Sequence, residues 1–219
     1  MGDIPTLDLK RKYHQLYNPS PKEVTIVDVP AFGYLMVDGQ GDPNTAKEYR
    51  DAVNTLYSVA YTLKFMIKKY EQPVDYGVMA LEGLWWSDNM NTFSVTCKDD
   101  WKWTMMIMQP DFINQDWVIR ATAEAARKRE LPALAKLCFE RFAEGLSAQM
   151  MHLGPYVDEE STVLKIHSYI TTYGYQLRGR HHEIYLNDPN KVAPARLKTI
   201  IRQPIVLKDD QQVTVRSTI

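Results

Sequence analysis

The sequence carries one strand and helix pattern twice, and neither copy is large enough to bury a sheet by itself. In the first copy, Val24 to Val29 and Phe32 to Asp38 read as extended runs broken at Pro30 and ended by the turn Gly39-Gln40-Gly41-Asp42-Pro43. Thr45 and Glu48 have capping-box spacing and open a helix in which Tyr49, Val53, Leu56, Ala60, Leu63 and Ile67 share a face. Two strand-like runs follow, Gly77 to Trp86 and Trp101 to Met108, the second closed by Pro110. The second copy repeats this order. Cys138 to Phe142 and Gly145 to Leu153 form the broken opening strand, and Gly154-Pro155-Tyr156 forms the turn. Asp158 is placed to cap a helix with Val163, Ile166 and Ile170 inward and Gly174 as its left-handed stop. Strands at His181 to Asn187 and Leu197 to Val206 complete it, so that Leu84-Trp85-Trp86-Ser87-Asp88 falls on Ile184-Tyr185-Leu186-Asn187-Asp188 and Met108-Gln109-Pro110 on Arg202-Gln203-Pro204.

The expected fold is therefore α+β: two pseudo-symmetric strand-helix-strand-strand modules forming an antiparallel sheet, with helices on one face and a central ligand pocket. The modules span about residues 23–110 and 137–207 and are joined by an alanine-rich linking helix at 116–130. Residues 1–22, with Pro5, Pro19 and Pro21, read as a partly ordered arm, and 208–219 as a C-terminal tail.

Charge and composition narrow the function classes. Lys plus Arg number 26 and Asp plus Glu 27, which leaves no global field to draw the chain onto nucleic acid or an anionic membrane. No apolar run reaches the ~18 residues of a membrane span and no signal-peptide core precedes the first strand, so a cytoplasmic protein is expected. Met1-Gly2 with Thr6 makes one match to a loose myristoylation pattern and is read as coincidence. Cys97 and Cys138 lack metal or redox spacing and read as reduced core thiols. His181 and His182 are adjacent, so a strand would point them to opposite faces. With His152 and His167 they form no metal-binding spacing, and no metal is expected. No phosphate loop, GxSxG elbow or GxGxxG occurs, and no cofactor is expected. Lys165, Arg178, Arg180 and Arg202 read as solvated surface. The expected partner is a small-molecule ligand, with neither nucleic acid nor membrane bound directly. The chain is expected to be a monomer or, through sheet edges, a homodimer.

Three ordered motifs carry a resemblance: Met150-Met151-His152-Leu153-Gly154-Pro155-Tyr156, Gly179-Arg180-His181-His182-Glu183-Ile184-Tyr185-Leu186-Asn187-Asp188-Pro189, and Lys198-Thr199-Ile200-Ile201-Arg202-Gln203-Pro204. Together they resemble stand-alone members of the GyrI-like small-molecule-binding family over about residues 20–207. The resemblance implies two modules around a central pocket and a glutamate on a late strand. Among such relatives are ligand sensors fused to helix-turn-helix domains and hydrolases that open the cyclopropane ring of DNA-alkylating natural products. The 22-residue leader is too short for a helix-turn-helix with its own core, so direct DNA binding is disfavoured.

Strand alternation puts Glu183 and Tyr185 on one face and Ile184 and Leu186 on the other, with Ile184 and Leu186 the natural pair to pack under the helix. Glu183 is either a ligand-facing base or an exposed strand glutamate, and the family motif favours the base. In the repeat, Trp85 is the twin of Tyr185 and Gly83 the twin of Glu183. The candidate catalytic residues are Glu183 and Tyr57, and the candidate substrate-binding residues are Trp85, Tyr185, Trp103, Tyr156 and Tyr61. Each aromatic has a competing role: Trp103 in the core, Tyr57 and Tyr61 covering the core edge, Tyr156 packed on a turn. If this is an enzyme, a water activated by Glu183 opens a cyclopropanoid ring, and an aromatic wall raises the Glu183 pKa toward that of a useful base. If not, the same glutamate and rings receive a lipophilic molecule, neutral or cationic. A third reading is an adaptor acting through a protein interface.

Overall fold

A computed structural model describes residues 4–70, 74–88 and 100–208. In chain order the elements are β1 (Thr6–Leu7), α1 (Leu9–Lys12), α2 (His14–Tyr17), β2 (Thr25–Gln40), α3 (Lys47–Lys68), β3 (Asp75–Tyr76), β4 (Leu81–Trp86) and β5 (Lys102–Gln109). They continue with α4 (Gln115–Lys128), β6 (Cys138–Leu153), α5 (Glu160–Thr172), β7 (Tyr175–Leu177), β8 (His181–Tyr185) and β9 (Lys198–Leu207). The fold is mixed α and β with antiparallel main sheets. The chain divides into two compact units: residues up to His14 with Ala31–Phe142, and Gln15–Pro30 with the residues from Ala143 onward.

In the first unit β5 is central. It pairs antiparallel with β2 from Gly33↔Gln109 to Gln40↔Lys102, and on its other edge with β4 from Leu81↔Ile107 to Trp86↔Lys102. Both faces of β5 are covered, which is why Trp103-Thr104-Met105-Met106-Ile107-Met108 is apolar without alternation. α3 turns Ala52, Leu56, Val59, Leu63 and Ile67 inward, a stripe rotated slightly from the one the periodicity predicts, with Val53 only half-buried. Its start differs from expectation. Ala46 is the N-cap and has no side-chain acceptor to offer; Asp42 organises the preceding turn, accepting from the backbone N of Asn44 at 2.9 Å and, through its carbonyl, from that of Ala46 at 2.8 Å. Glu48 instead pairs with Lys136. The alanine-rich segment is α4, capped by Asn114, whose side chain accepts from the backbone N of Trp117 at 3.1 Å. Small Ala121 and Ala125 let it approach α3 closely.

The second unit uses the same order of pairing around β9. β6 pairs with it from Ser147↔Pro204 to Leu153↔Lys198, and β8 from His182↔Arg202 to Tyr185↔Thr199. β7 extends this sheet from Tyr175↔Leu207 to Leu177↔Ile205. Ala148, Met150, Ile166, Ile170, Ile201 and Ile205 form the core, with Val24, Ile26, Val163 and Tyr175 against it. α5 begins after a 3-10 turn at Tyr156–Asp158, with Glu159 rather than Asp158 at the N-cap. Gly174, at φ +79°, ends it in the left-handed region.

Several expectations are corrected. Pro30 does not break the opening run: β2 is one 16-residue strand, since the fixed φ of proline suits extended backbone. β6 is likewise continuous through Gly145, which absorbs the irregularity at φ +72°. The leader carries short elements and buries Leu9, Leu16 and Tyr17, and the backbone N of Met151 donates to the carbonyl of Ser20 at 3.1 Å. Cys138 is an exposed thiol facing the carbonyl of Met36 at 3.7 Å, not a core residue. Leu186 lies just past β8 and is half-buried, so only Ile184 of that pair is core. The expectations for Met1, Gly2, Cys97 and residues 209–219 fall outside the described residues.

Candidate functional site

β8 gives the second unit two chemically distinct faces. His181, Glu183 and Tyr185 alternate onto one, and His182 and Ile184 onto the other. On the first, Glu183 is 17% exposed in its side chain and has both oxygens engaged. One accepts from Nε2–H of His181 at 3.1 Å, the other from the Tyr185 hydroxyl at 2.7 Å. Burial pushes the Glu183 carboxyl up, but the His181 bond and charge, with the Tyr185 bond, outweigh it and hold the group below its ordinary range. This reverses the expected rise: the glutamate stays ionised, because a buried carboxylate with two donors is stabilised in its charged form. The Tyr156 ring, 40% exposed, meets the Tyr185 ring edge-on at 5.7 Å. His167 lies close enough to feel His181, and burial first, then that neighbour's charge, lowers its pKa.

The opposite face of β8 holds a group that sequence reasoning missed. Nδ1–H of His182 lies 3.0 Å from each oxygen of Glu144, and Nη1 of Arg202 donates to the same carboxylate at 3.1 Å. Arg202 also donates from Nε to the Gln149 side chain at 3.0 Å and from Nη2 to the Leu16 carbonyl at 2.7 Å. Side-chain exposure of Glu144, His182 and Arg202 does not exceed 1%. Burial pushes the Glu144 carboxyl up, yet the charges of His182 and Arg202 pull it down to about 2. Reading Arg202 as solvated surface is thus overturned: the arginine is a buried counter-ion. The signal available was its place inside the apolar run Ile200-Ile201-Arg202-Gln203-Pro204-Ile205.

The remaining candidates sit in the first unit. Trp85 is 2% exposed, stacked with Tyr49 at 6.1 Å and edge-on to Trp101 at 5.5 Å. Its indole leans back over Gly83, where a Cβ would lie 2.8 Å from Nε1. Tyr185 likewise reaches two residues back, its hydroxyl donating to Glu183. Trp103 is fully buried: its ring lies over Gly39, its Nε1–H donates to the Gly41 carbonyl at 3.3 Å, and Tyr49 meets it edge-on at 5.4 Å. It is the register partner of Trp85 across β4 and β5, and at 0% exposure it presents no surface to a ligand. Tyr57 and Tyr61 lie on α3, stacked at 6.2 Å, and line a groove facing α4.

Among the described residues, no cluster of three or more His, Cys, Asp or Glu is placed to hold a metal ion, and no helix is long and apolar enough to cross a membrane.

Comparison with known proteins places this geometry in a family. No protein of curated function matches the sequence. A conserved, uncharacterized protein of Listeria innocua has a solved structure similar at a TM-score of 0.84 and 38% identity, covering 91% of this chain and all of its own. Two structures from the same organism, each described as a hydrolase, are similar at TM-scores of 0.80 and 0.77, both at 36% identity. They cover 92% and 91% of this chain and the whole of their own. The family model of the GyrI-like small molecule binding domain matches residues 22–206, and the chain belongs to that family.

Proposed function

We propose that this protein binds a flat, largely apolar small molecule and hydrolyses it, opening the cyclopropane ring of a cyclopropanoid genotoxin with a water activated by Glu183. The observation that carries the reading is the largely enclosed Glu183 carboxylate, fixed by His181 and Tyr185, with the Tyr156 ring against Tyr185. The two Listeria innocua hydrolases at 36% identity support the reaction class. The conjugated plane of the substrate stacks on one of the Tyr156 and Tyr185 rings and meets the other edge-on, since the two rings stand nearly perpendicular. Glu183 takes a proton from water as its oxygen bonds to the strained methylene carbon. The ring C–C bond breaks, its electron pair flows into the dienone, and the carbonyl oxygen, now phenolate, receives a proton from the Tyr156 hydroxyl or solvent. Water is added and a phenol is formed. General-base help of this kind is worth roughly 10²- to 10⁴-fold. Only groups of the second unit are needed; Tyr57, which lines the α3–α4 groove, is given no part in it.

The depressed Glu183 carboxyl favours a second reading, a receptor without turnover, since a fixed anion among aromatic rings suits a lipophilic cation. One experiment separates the two. Purified protein is incubated with a spirocyclopropyl dienone, and the water adduct is followed by mass spectrometry. Turnover that Glu183→Gln abolishes while binding persists supports the enzyme. Stoichiometric capture of tetraarylphosphonium or similar cations, with no adduct formed, supports the receptor.

A further inference from the structure

The first unit carries a groove of about 860 Å³ between α3 and α4 that the proposed chemistry does not use. Its volume lies in the range of sites for drug-sized molecules. One wall is a ladder of rings at i, i+4 spacing: Tyr57 and Tyr61 are 6.2 Å apart and Tyr61 and Phe65 6.4 Å apart, with interplanar angles of 29° and 25°. The strip is about 12 Å long, as two four-residue steps of helix dictate. Tyr61 is 48% and Phe65 53% exposed, so the ladder is contiguous apolar surface left in water rather than an edge of the core.

The facing wall sets the charge. Among the described residues, five cationic side chains line the groove against one carboxylate, Glu124, although the whole chain carries a net charge of −1. Glu124 is engaged by Arg127 at 3.5 Å and Lys128 at 3.1 Å, so one negative charge is spread over two cations. Arg120 is pre-positioned, its guanidinium lying 5.5 Å from the Trp117 ring centroid, and Trp117 is in turn held edge-on by Tyr70 at 4.8 Å. Lys69 stands at the end of α3 along the same groove. A strip of ring faces beside an excess of cations selects against cations and favours a planar anion.

We infer that the α3–α4 groove is a binding site for a small polycyclic aromatic anion, its rings on Tyr57, Tyr61 and Phe65 and its carboxylate or sulfonate toward Arg120 and Lys69. The site is separate in chemistry from Glu183, whose anion would repel such a ligand.

The test titrates the full-length protein with 8-anilinonaphthalene-1-sulfonate, with N-phenyl-1-naphthylamine, which has the same rings without the sulfonate, and with the cationic N-methylacridinium. Saturable one-to-one binding of the sulfonate is expected, at least about tenfold tighter than either comparator and weakening as salt rises. Tyr61→Ala and the double variant Lys69→Glu with Arg120→Glu each weaken it about tenfold or more, while Glu183→Gln does not change it; circular dichroism checks that these surface variants fold. Equal affinity for the neutral analogue, unchanged affinity in both groove variants, or a change of about tenfold or more in Glu183→Gln overturns the inference. The last result would place the probe at Glu183 and leave the hydrolase proposal standing.

Discussion

Replacing Arg202 by methionine removes one member of a buried ion cluster while nearly conserving volume. Arg202 is 1% exposed and donates to three different acceptors: Glu144, the Gln149 side chain and the Leu16 carbonyl. Removing one partner of a buried pair costs about 3–5 kcal/mol, chiefly because the other charge is left uncompensated. Here Nδ1–H of His182 remains on the carboxylate, which limits the loss, while the Gln149 and Leu16 oxygens lose a charged donor, which adds to it. A net cost of about 3–5 kcal/mol lowers the melting temperature by roughly 6–20 °C for a chain of this size. The pH dependence gives a second reading of the same bond. Glu144 is depressed from 4.5 to about 2, worth about 3 kcal/mol at neutral pH. Because the folded value is the lower one, that stability is present above the unfolded pKa and is lost as pH falls from about 4.5 toward 2. In Arg202→Met the folded value rises, so the acid-dependent loss is smaller and is complete at higher pH. Urea unfolding across pH 2–7 measures both effects, and the double variant Glu144→Gln with Arg202→Met should recover about 1–3 kcal/mol relative to additivity. A single-variant cost below about 1 kcal/mol, or strict additivity in the cycle, would refute the claim that the cluster acts as a charged unit.

Other consequences are simpler to read. Tyr185→Phe removes the 2.7 Å donor to Glu183, so the carboxyl moves up toward its ordinary range; any Glu183-dependent turnover should show its acid limb shifted to higher pH, measured as a pH–rate profile. Gly39→Ala puts a Cβ 2.1 Å from the fully buried Trp103 ring and should cost about 1–3 kcal/mol in thermal unfolding, with a change in tryptophan near-ultraviolet dichroism. Gly174→Ala meets no neighbour within 4 Å but must hold φ +79°, so it should cost about 1–2 kcal/mol, detected in urea unfolding.

The sequence by itself determined whatever depends on neighbours a few residues away. The order of strands and helices along the chain, the helix carrying Tyr49 to Ile67, the one carrying Val163 to Ile170, the alanine-rich helix, the left-handed stop at Gly174 and the shared face of Glu183 and Tyr185 all follow from periods of 3.6 and 2 and from turn chemistry. Caps and breaks were less legible. Thr45, Asp158 and Pro30 are sound local signals that lost to Asp42, to a 3-10 turn and to strand pairing. Only the tertiary structure decided which charges are buried. Glu144, His182 and Arg202 are separated by up to 58 residues, and although its apolar neighbours set Arg202 apart from the exposed Arg178, nothing local names Glu144 as its partner. The ionisation of Glu183 was hidden for the same reason: burial alone raises a carboxyl, and only the assembled geometry shows that His181 and Tyr185 bring donors close enough to reverse the sign.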